Sequence, residues 1–515
     1  MAQTDYQQLQ KLSREIRLLE GIDSLLSWDQ ETFMPEGAAP IRSEQRALLA
    51  GMIHNLRTGA PFRTVLKKLI NLESGKILTK DLSDKQQAAL REWRRDDRHA
   101  TSLPNDFVRH FAETTSAGVM VWREARRNDD FDAFLPHLEK IVALNQQKAE
   151  YLGYQEHPYD ALVDLFEPGI TTAQISRLFN ELKEGIIPLL ESLQASQEID
   201  DSILHGHFER DQQLQLARNL MECIGYNKQQ GRLDESTHPF SSAAHPSDSR
   251  ITTRIDLKNV LSNLLCVLHE SGHGLYEMGL STEEYGSPLG DAASYGVHES
   301  QSRLWETLIG QSRSFWIYYF PRLQAAFPDH FNKSTVEEIY RAVNKVNPSF
   351  IRVEADEVTY GLHVILRFEL EKQLIEGSLK VHEVPEAWNA HMQDLLGLNP
   401  PSFAQGCLQD VHWSMGAFGY FPSYTLGNIY SAQMFDTFTQ AYPDWTKDIE
   451  GGNFTPLLQW LRSNIHLHGR RYTGPELIQT VTKQPLSTAP YLSYLTKKYS
   501  AIYNEERKPH VEPLR

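Results

Sequence analysis

The chain has 515 residues, 40% hydrophobic and 23% charged, and its 51 basic against 67 acidic side chains leave a formal charge of −16. That length accommodates one large body or several domains, and the composition excludes a disordered or fibrous protein. The negative charge repels phosphate backbones and anionic lipid heads, which argues against nucleic acid and membrane partners.

The first residues, MAQTDYQQLQ, lack the basic start and apolar run of a secretion signal, and no apolar stretch has the length to span a bilayer. A cytoplasmic location is expected. Leu9, Leu12, Ile16, Leu19 and Ile22 recur at helical spacing with Gln, Lys and Arg between them, and similar amphipathic patterns fill the first two hundred residues. The clusters EWRRDDR (92–98) and WREARRNDD (122–130) mix both signs at helical spacing and read as solvated faces. Only 236–255 departs from this pattern; its Pro, Ser, Thr and β-branched residues predict a short strand or hairpin.

From Asp256, a natural N-cap, to Gly279 the pattern is helical again, with Leu257, Val260, Leu261, Leu264 and Leu268 as a buried stripe. Ser334 and Glu337, in capping-box spacing, open a helix over 333–347 that Pro348 closes, and a second long helix follows from about Val353. The last residues, EERKPHVEPLR, read as a loosely packed tail. Cys223, Cys266 and Cys407 show no paired spacing and read as reduced, mostly buried thiols.

The chemistry lies inside the 256–279 helix, in HESGH. His269 and His273 are four residues apart, so both imidazoles leave the same face and can hold one ion. Glu270 lies one residue round, an offset that places a carboxylate beside an attacking water rather than on the metal. Glu299, in GVHESQSRLWE, supplies a third ligand. Neighbours on a helix point about 100° apart, so only one of His298 and Glu299 reaches the ion, and the carboxylate is favoured. Three protein ligands with one open position make a catalytic site. Gly272 and Gly274 weaken this helix and fit either close approach of a substrate backbone or packing.

Six motifs in order then carry a family resemblance: HPF at 238–240, DSRIT at 248–252, HESGH at 269–273, HESQ at 298–301, IRVEAD at 351–356 and GCLQDVHW at 406–413. The chain resembles the carboxypeptidase Taq family of thermostable zinc carboxypeptidases along essentially its whole length. LLSWDQETFMPEGA near the N-terminus also looks like the family, without a chemical role following from it.

The resemblance implies a mainly α, large all-helical metallopeptidase body with a deep central groove and a small β element, similar to neurolysin and angiotensin-converting enzyme. It implies one unit over 1–515, with an N-terminal helical wall over roughly 1–230 and a zinc-binding core over roughly 231–505. It further implies one Zn2+ per chain, replaceable by Co2+, a homodimer, and release of single C-terminal amino acids with broad specificity by Glu270-assisted attack of a zinc-bound water. His412 with Tyr420 or Tyr424 resembles the family's oxyanion donors.

A free substrate carboxylate is best matched by a guanidinium fork, which makes Arg352 and Arg250 candidates; His238 of HPF joins them as a substrate-binding candidate. Asp356 and Asp410 are candidates for orienting a zinc histidine or one of these arginines. The competing readings are an endopeptidase or dipeptidyl carboxypeptidase, which differ only at the carboxylate subsite, and an inactive scaffold. The intact HESGH and Glu299 argue against the scaffold.

Overall fold

The computed structural model describes residues 2–504. Helices α1 (Ala2–Thr32), α2 (Ala39–Thr58), α3 (Ala60–Leu69), α4 (Asp84–Ser102), α5 (Asn105–Asn128), α6 (Phe131–Leu152), α7 (Pro158–Val163), α8 (Thr172–Gln194) and α9 (Arg210–Cys223) precede a small sheet of β1 (Gly231–Glu235), β2 (Ser241–His245) and β3 (Asp248–Thr253). The expected hairpin is present as β2 and β3, paired antiparallel, and β1 adds to the other edge of β3 in parallel. Ser249, Ile251, Thr252 and Thr253 of the central strand are all fully buried.

Two helices come next: α10 (Val260–Gly279) and α11 (Tyr295–Arg303), the latter running straight into a π turn over Leu304–Ile309. The chain continues as α12 (Arg313–Ala326), α13 (Pro328–Phe331), α14 (Val336–Val343), α15 (Tyr360–Glu376), α16 (Val384–Leu396), α17 (Pro422–Ala441), α18 (Trp445–Glu450), α19 (Thr455–Asn464), α20 (Gly474–Thr482) and α21 (Ala489–Asn504). The mainly α body with a minor β element is as expected. No described helix is long and apolar enough to cross a membrane.

Apolar packing divides the described residues into two clusters. The large one runs from Trp122 to Ile502. The small one gathers Tyr6, Leu9 and Ile16 of α1 with Phe62, Val65, Leu66, Leu90 and Trp93, and takes Leu289 from the rest of the chain. Between the clusters runs a seam of charge. Arg470 binds Glu92 and Asp96, Arg17 faces Asp291, and Lys85 pairs with Glu284. The guanidinium of Arg250 stacks 4.4 Å above the Trp28 ring, so the N-terminal WDQ segment acts as a platform for the sheet edge.

Several local expectations need correction. Asp256 is not the N-cap of α10: its Oδ1 accepts from Lys258 N and closes a turn upstream, and Asn259 caps instead, accepting from Leu261 N and Ser262 N. Leu257 consequently precedes the helix and is 44% exposed, whereas Val260, Leu261, Leu264 and Leu268 are buried. The capping box expected at Ser334 and Glu337 falls one residue later, at Thr335 and Glu338, and Glu337 pairs with Arg313. The helix expected from Val353 is one 3₁₀ turn over Arg352–Glu354, and α15 starts at Tyr360 after Asp356 has accepted from Val358 N and Thr359 N.

Ile22 is 46% exposed, off the buried face of α1. The 92–98 cluster is no solvated face: Asp97 is buried against Arg63, and Glu92 and Asp96 hold Arg470. All three cysteines are free; Cys407 is buried, while Cys223 and Cys266 are half-buried. The tail reading of 505–515 lies outside the described residues.

Candidate active site

α10 carries His269, Glu270 and His273, and α11 crosses it carrying Glu299. Glycine permits the crossing. A Cβ on Gly272 would stand 2.5 Å from Gln301 O and 2.6 Å from Ser302 Cα, and one on Gly427 of α17 would stand 2.6 Å from Glu299 Cγ. Gly274 instead faces Tyr226 and Ser249. Gly272 of HESGH and Gly274 just after it therefore serve packing, not approach of a substrate.

The ligand atoms of His269, His273 and Glu299 all lie within 4.8 Å of one another, the one such group among the described residues. Glu299 Oε2 is 3.8 Å from His269 Nε2 and 3.5 Å from His273 Nε2. Three donors each bound at about 2.0–2.1 Å to one tetrahedral centre stand roughly 3.4 Å apart, so the set fits a zinc-class cation. Ser302 Oγ donates to the same carboxylate at 3.0 Å.

Behind each imidazole stands a further group. His269 Nδ1 is 2.8 Å from Glu306 Oε2, which Arg303 also holds at 2.7 Å. The π turn carries Glu306 to this position, and such turns recur at functional sites. His273 Nδ1 lies 2.6 Å from His298 Nδ1, and His298 Nε2 lies 2.9 Å from Glu277 Oε1. His298 therefore turns away from the three-donor cluster and Glu299 toward it, as their helical offset implies.

Glu270 is 6% exposed, and its Oε2 has no hydrogen-bond partner among the described residues. Burial pushes its carboxyl up to about 7, with the Glu299 and Glu306 charges adding to the effect and His269 opposing it. Burial pushes His273 down to about 4. It acts on His269 in the same direction but is outweighed by Glu299 and Glu306, which carry that imidazole up to about 9.

A groove of about 720 Å³ opens over these atoms. Its lining joins His269, Glu270, His273 and Glu299 to Tyr420 and Tyr424, to Phe166 and Pro168 from the N-terminal half, and to Pro239 and Phe240 beside the sheet. Tyr420 packs edge-on against both Phe166 and Tyr295. His412 lies behind the tyrosines, its Nε2 3.3 Å from Tyr424 Oη. Burial lowers His412 to about 4; Asp410 opposes this, and Arg352 and Arg367 reinforce it, so the ring is neutral at pH 7.

Arg352, Arg250 and His238 do not form part of the lining. Arg352 is buried, bound to Asp410 at 2.8 Å and to Tyr360 at 3.2 Å, with its guanidinium 4.8 Å from the centre of the Tyr424 ring. Asp410 also binds Arg367, so it orients two arginines rather than a zinc histidine. Asp356 accepts from Val358 and Thr359 in its own turn and from Asn347 N upstream. Arg250 is paired with Asp248 at 2.8 Å on β3, and His238 is exposed next to Pro239. The motif reading missed Glu306 and Glu277, and it missed Phe166, Asp96 and Arg470 on the groove wall.

Crossed helices that bring two imidazoles and a carboxylate to one point, with a second carboxylate free beside them in a groove, define a metal-dependent peptide hydrolase. The chain belongs to the Carboxypeptidase Taq (M32) metallopeptidase family, whose model matches residues 8–499. It is 41% identical over 509 residues to Thermostable carboxypeptidase 1 of Thermus thermophilus, covering 97% of this chain and 99% of that one. It is 38% identical over 481 residues to Carboxypeptidase 1 of Bacillus subtilis, covering 93% and 95%. The crystal structure of M32 carboxypeptidase from Deinococcus radiodurans superposes with a TM-score of 0.94 at 40% identity, covering 97% of this chain and 100% of that one.

Proposed function

We propose that the chain is a zinc-dependent carboxypeptidase that releases single amino acids from the C-terminal end of peptides with broad specificity. The observation that carries this reading is the convergence of His269 Nε2, His273 Nε2 and Glu299 Oε2 beside the unpartnered Oε2 of Glu270. Three protein donors leave one position open, and Co2+ suits the same donors. When bound, the cation polarises the scissile carbonyl and makes water acidic at neutral pH.

Glu270 takes the proton of the attacking water and hands it to the departing amine, and a carboxyl raised toward 7 by burial can do both. Tyr420 and Tyr424 present hydroxyls from the groove wall as oxyanion donors, with neutral His412 holding Tyr424. Arg352 is the candidate anchor for the terminal carboxylate, acting from beneath the Tyr424 ring; Arg250 and His238 are candidates from the sheet side. Free cysteines suit the reducing cytoplasm, and a homodimer is the assembly we propose.

Two carboxamide variants test the roles. Glu270→Gln should keep stoichiometric zinc and lose hydrolysis by about a hundredfold to ten-thousandfold, because an amide cannot take the proton. Glu299→Gln should instead weaken zinc binding. The opposite pattern, with zinc lost from Glu270→Gln and retained by Glu299→Gln, contradicts the assignment.

A further inference from the structure

We infer that Glu277 and His298 form a relay that fixes the tautomer of His273 and leaves its Nε2 as the atom able to bind a cation. The inference rests on the metal site proposed above and assigns positioning roles to two residues outside the ligand set.

The geometry admits one arrangement of hydrogens for neutral rings. The Nδ1 atoms of His273 and His298 are 2.6 Å apart, so they share a single hydrogen: two would collide, and two lone pairs would repel. At the far side of His298, Nε2 lies 2.9 Å from Glu277 Oε1. An ionised carboxylate only accepts, so His298 carries its hydrogen on Nε2 and presents a lone pair at Nδ1. His273 must then donate Nδ1–H to that lone pair, which leaves the lone pair of its own Nε2 facing Glu299 Oε2 at 3.5 Å.

Glu277 is suited to stay ionised. Burial raises its carboxyl, but the hydrogen bond donated by His298 and the charge of Arg17 oppose burial, and the carboxyl lies below its ordinary value. His269 reaches the same tautomer in one step, by donating Nδ1–H to Glu306. One metal histidine is thus set directly by a carboxylate and the other through an intervening imidazole. Both arrangements present Nε2 to the cluster, the usual consequence of fixing the opposite ring nitrogen.

The test is zinc affinity of the full chain, measured by competition with a chromophoric chelator, with thermal unfolding of each metal-free variant alongside. H298L removes the acceptor and should weaken zinc by about tenfold to a hundredfold, the usual effect of losing such a partner. H298N places Oδ1 where the imidazole Nδ1 lay and should stay within about threefold of wild type. E277Q still accepts through its amide oxygen and should also stay within about threefold, while E277L should fall with H298L. E277L should cost nothing further in the H298N background, because that background has already disconnected Glu277.

The E277L and E277Q pair carries the test if H298L does not fold. Wild-type affinity in H298L or in E277L, with H273A abolishing binding, overturns the relay and leaves the metal site standing. Unchanged affinity in H273A overturns the metal site and the relay together.

Discussion

The metal-bearing helices and the N-terminal wall are held in place by different mixtures of packing and charge. α10, α11 and α17 share the large apolar cluster and cross at glycines, with Gly272 against the backbone of α11 and Gly427 against Glu299. α1 to α4 have a small core of their own and meet the rest through α1 packed on β2, where a Cβ on Gly21 would stand 3.0 Å from Ala244 O, together with ion pairs and the stacking of Arg250 on Trp28. Close packing fixes atoms to a fraction of an ångström, as catalytic geometry requires. Ion pairs fix a wall less tightly than interlocked side chains, and the more exposed pairs of this seam, such as Lys85–Glu284, respond to salt. One side of the groove is therefore set by shape alone and the other by shape and charge together.

Arg470 tests the charged side with the largest expected effect. Arg470→Ala strands Glu92 and Asp96, and removing one partner of a buried pair costs about 3–5 kcal/mol; the 16% exposure of the arginine side chain puts this case at the low end. Thermal unfolding should show the loss and limited proteolysis should show α1 to α4 released first, with zinc affinity unchanged. A parallel fall in zinc affinity would mean that the wall and the metal helices are one unit.

Arg352 asks whether the buried layer behind the groove also reads substrate. Arg352→Ala should slow cleavage of free-acid peptides by about ten- to a hundredfold, the equivalent of one charge-assisted hydrogen bond, and change turnover of amidated peptides little. Equal loss on both substrates would assign Arg352 to holding Asp410 alone. Arg250→Ala should behave likewise on free-acid peptides if it shares the carboxylate.

Gly272 tests the packed side with the smallest net change. Alanine gains about 1 kcal/mol of helix propensity but forces its Cβ onto backbone atoms of α11, and overpacking of that kind costs about 1–3 kcal/mol. Gly272→Ala should therefore destabilise slightly and, by moving Glu299, weaken zinc measurably. Wild-type zinc affinity in this variant would show that the crossing does not place the ligand.

The same contrast decides what the sequence reveals. Histidines four apart on a helix share a face whatever surrounds them, so His269 and His273 were legible, and the motif order carried Glu299. Periodicity also held two unread signals: Glu306 lies seven residues after Glu299, and Glu277 lies four after His273. Other features depend on partners far along the chain. The mixed charges of 92–98 look the same whether they face water or Arg470, which bonds Asp96 across 374 residues. Asp256 and Asn259 are equally good caps, and only the turn closed by Asp256 decides between them. Gly272 and Gly274 need the neighbouring backbone and Tyr226 to be in place before their role can be read.

The most direct test of the central claim is a time course of products from one defined peptide, followed by mass spectrometry as free acid and as C-terminal amide. The account predicts single amino acids released in order from the free C-terminus, with the amide cleaved at least ten- to a hundredfold more slowly for want of one charge-assisted contact. Internal cuts, dipeptides as first products, or equal rates on the two peptides would contradict it.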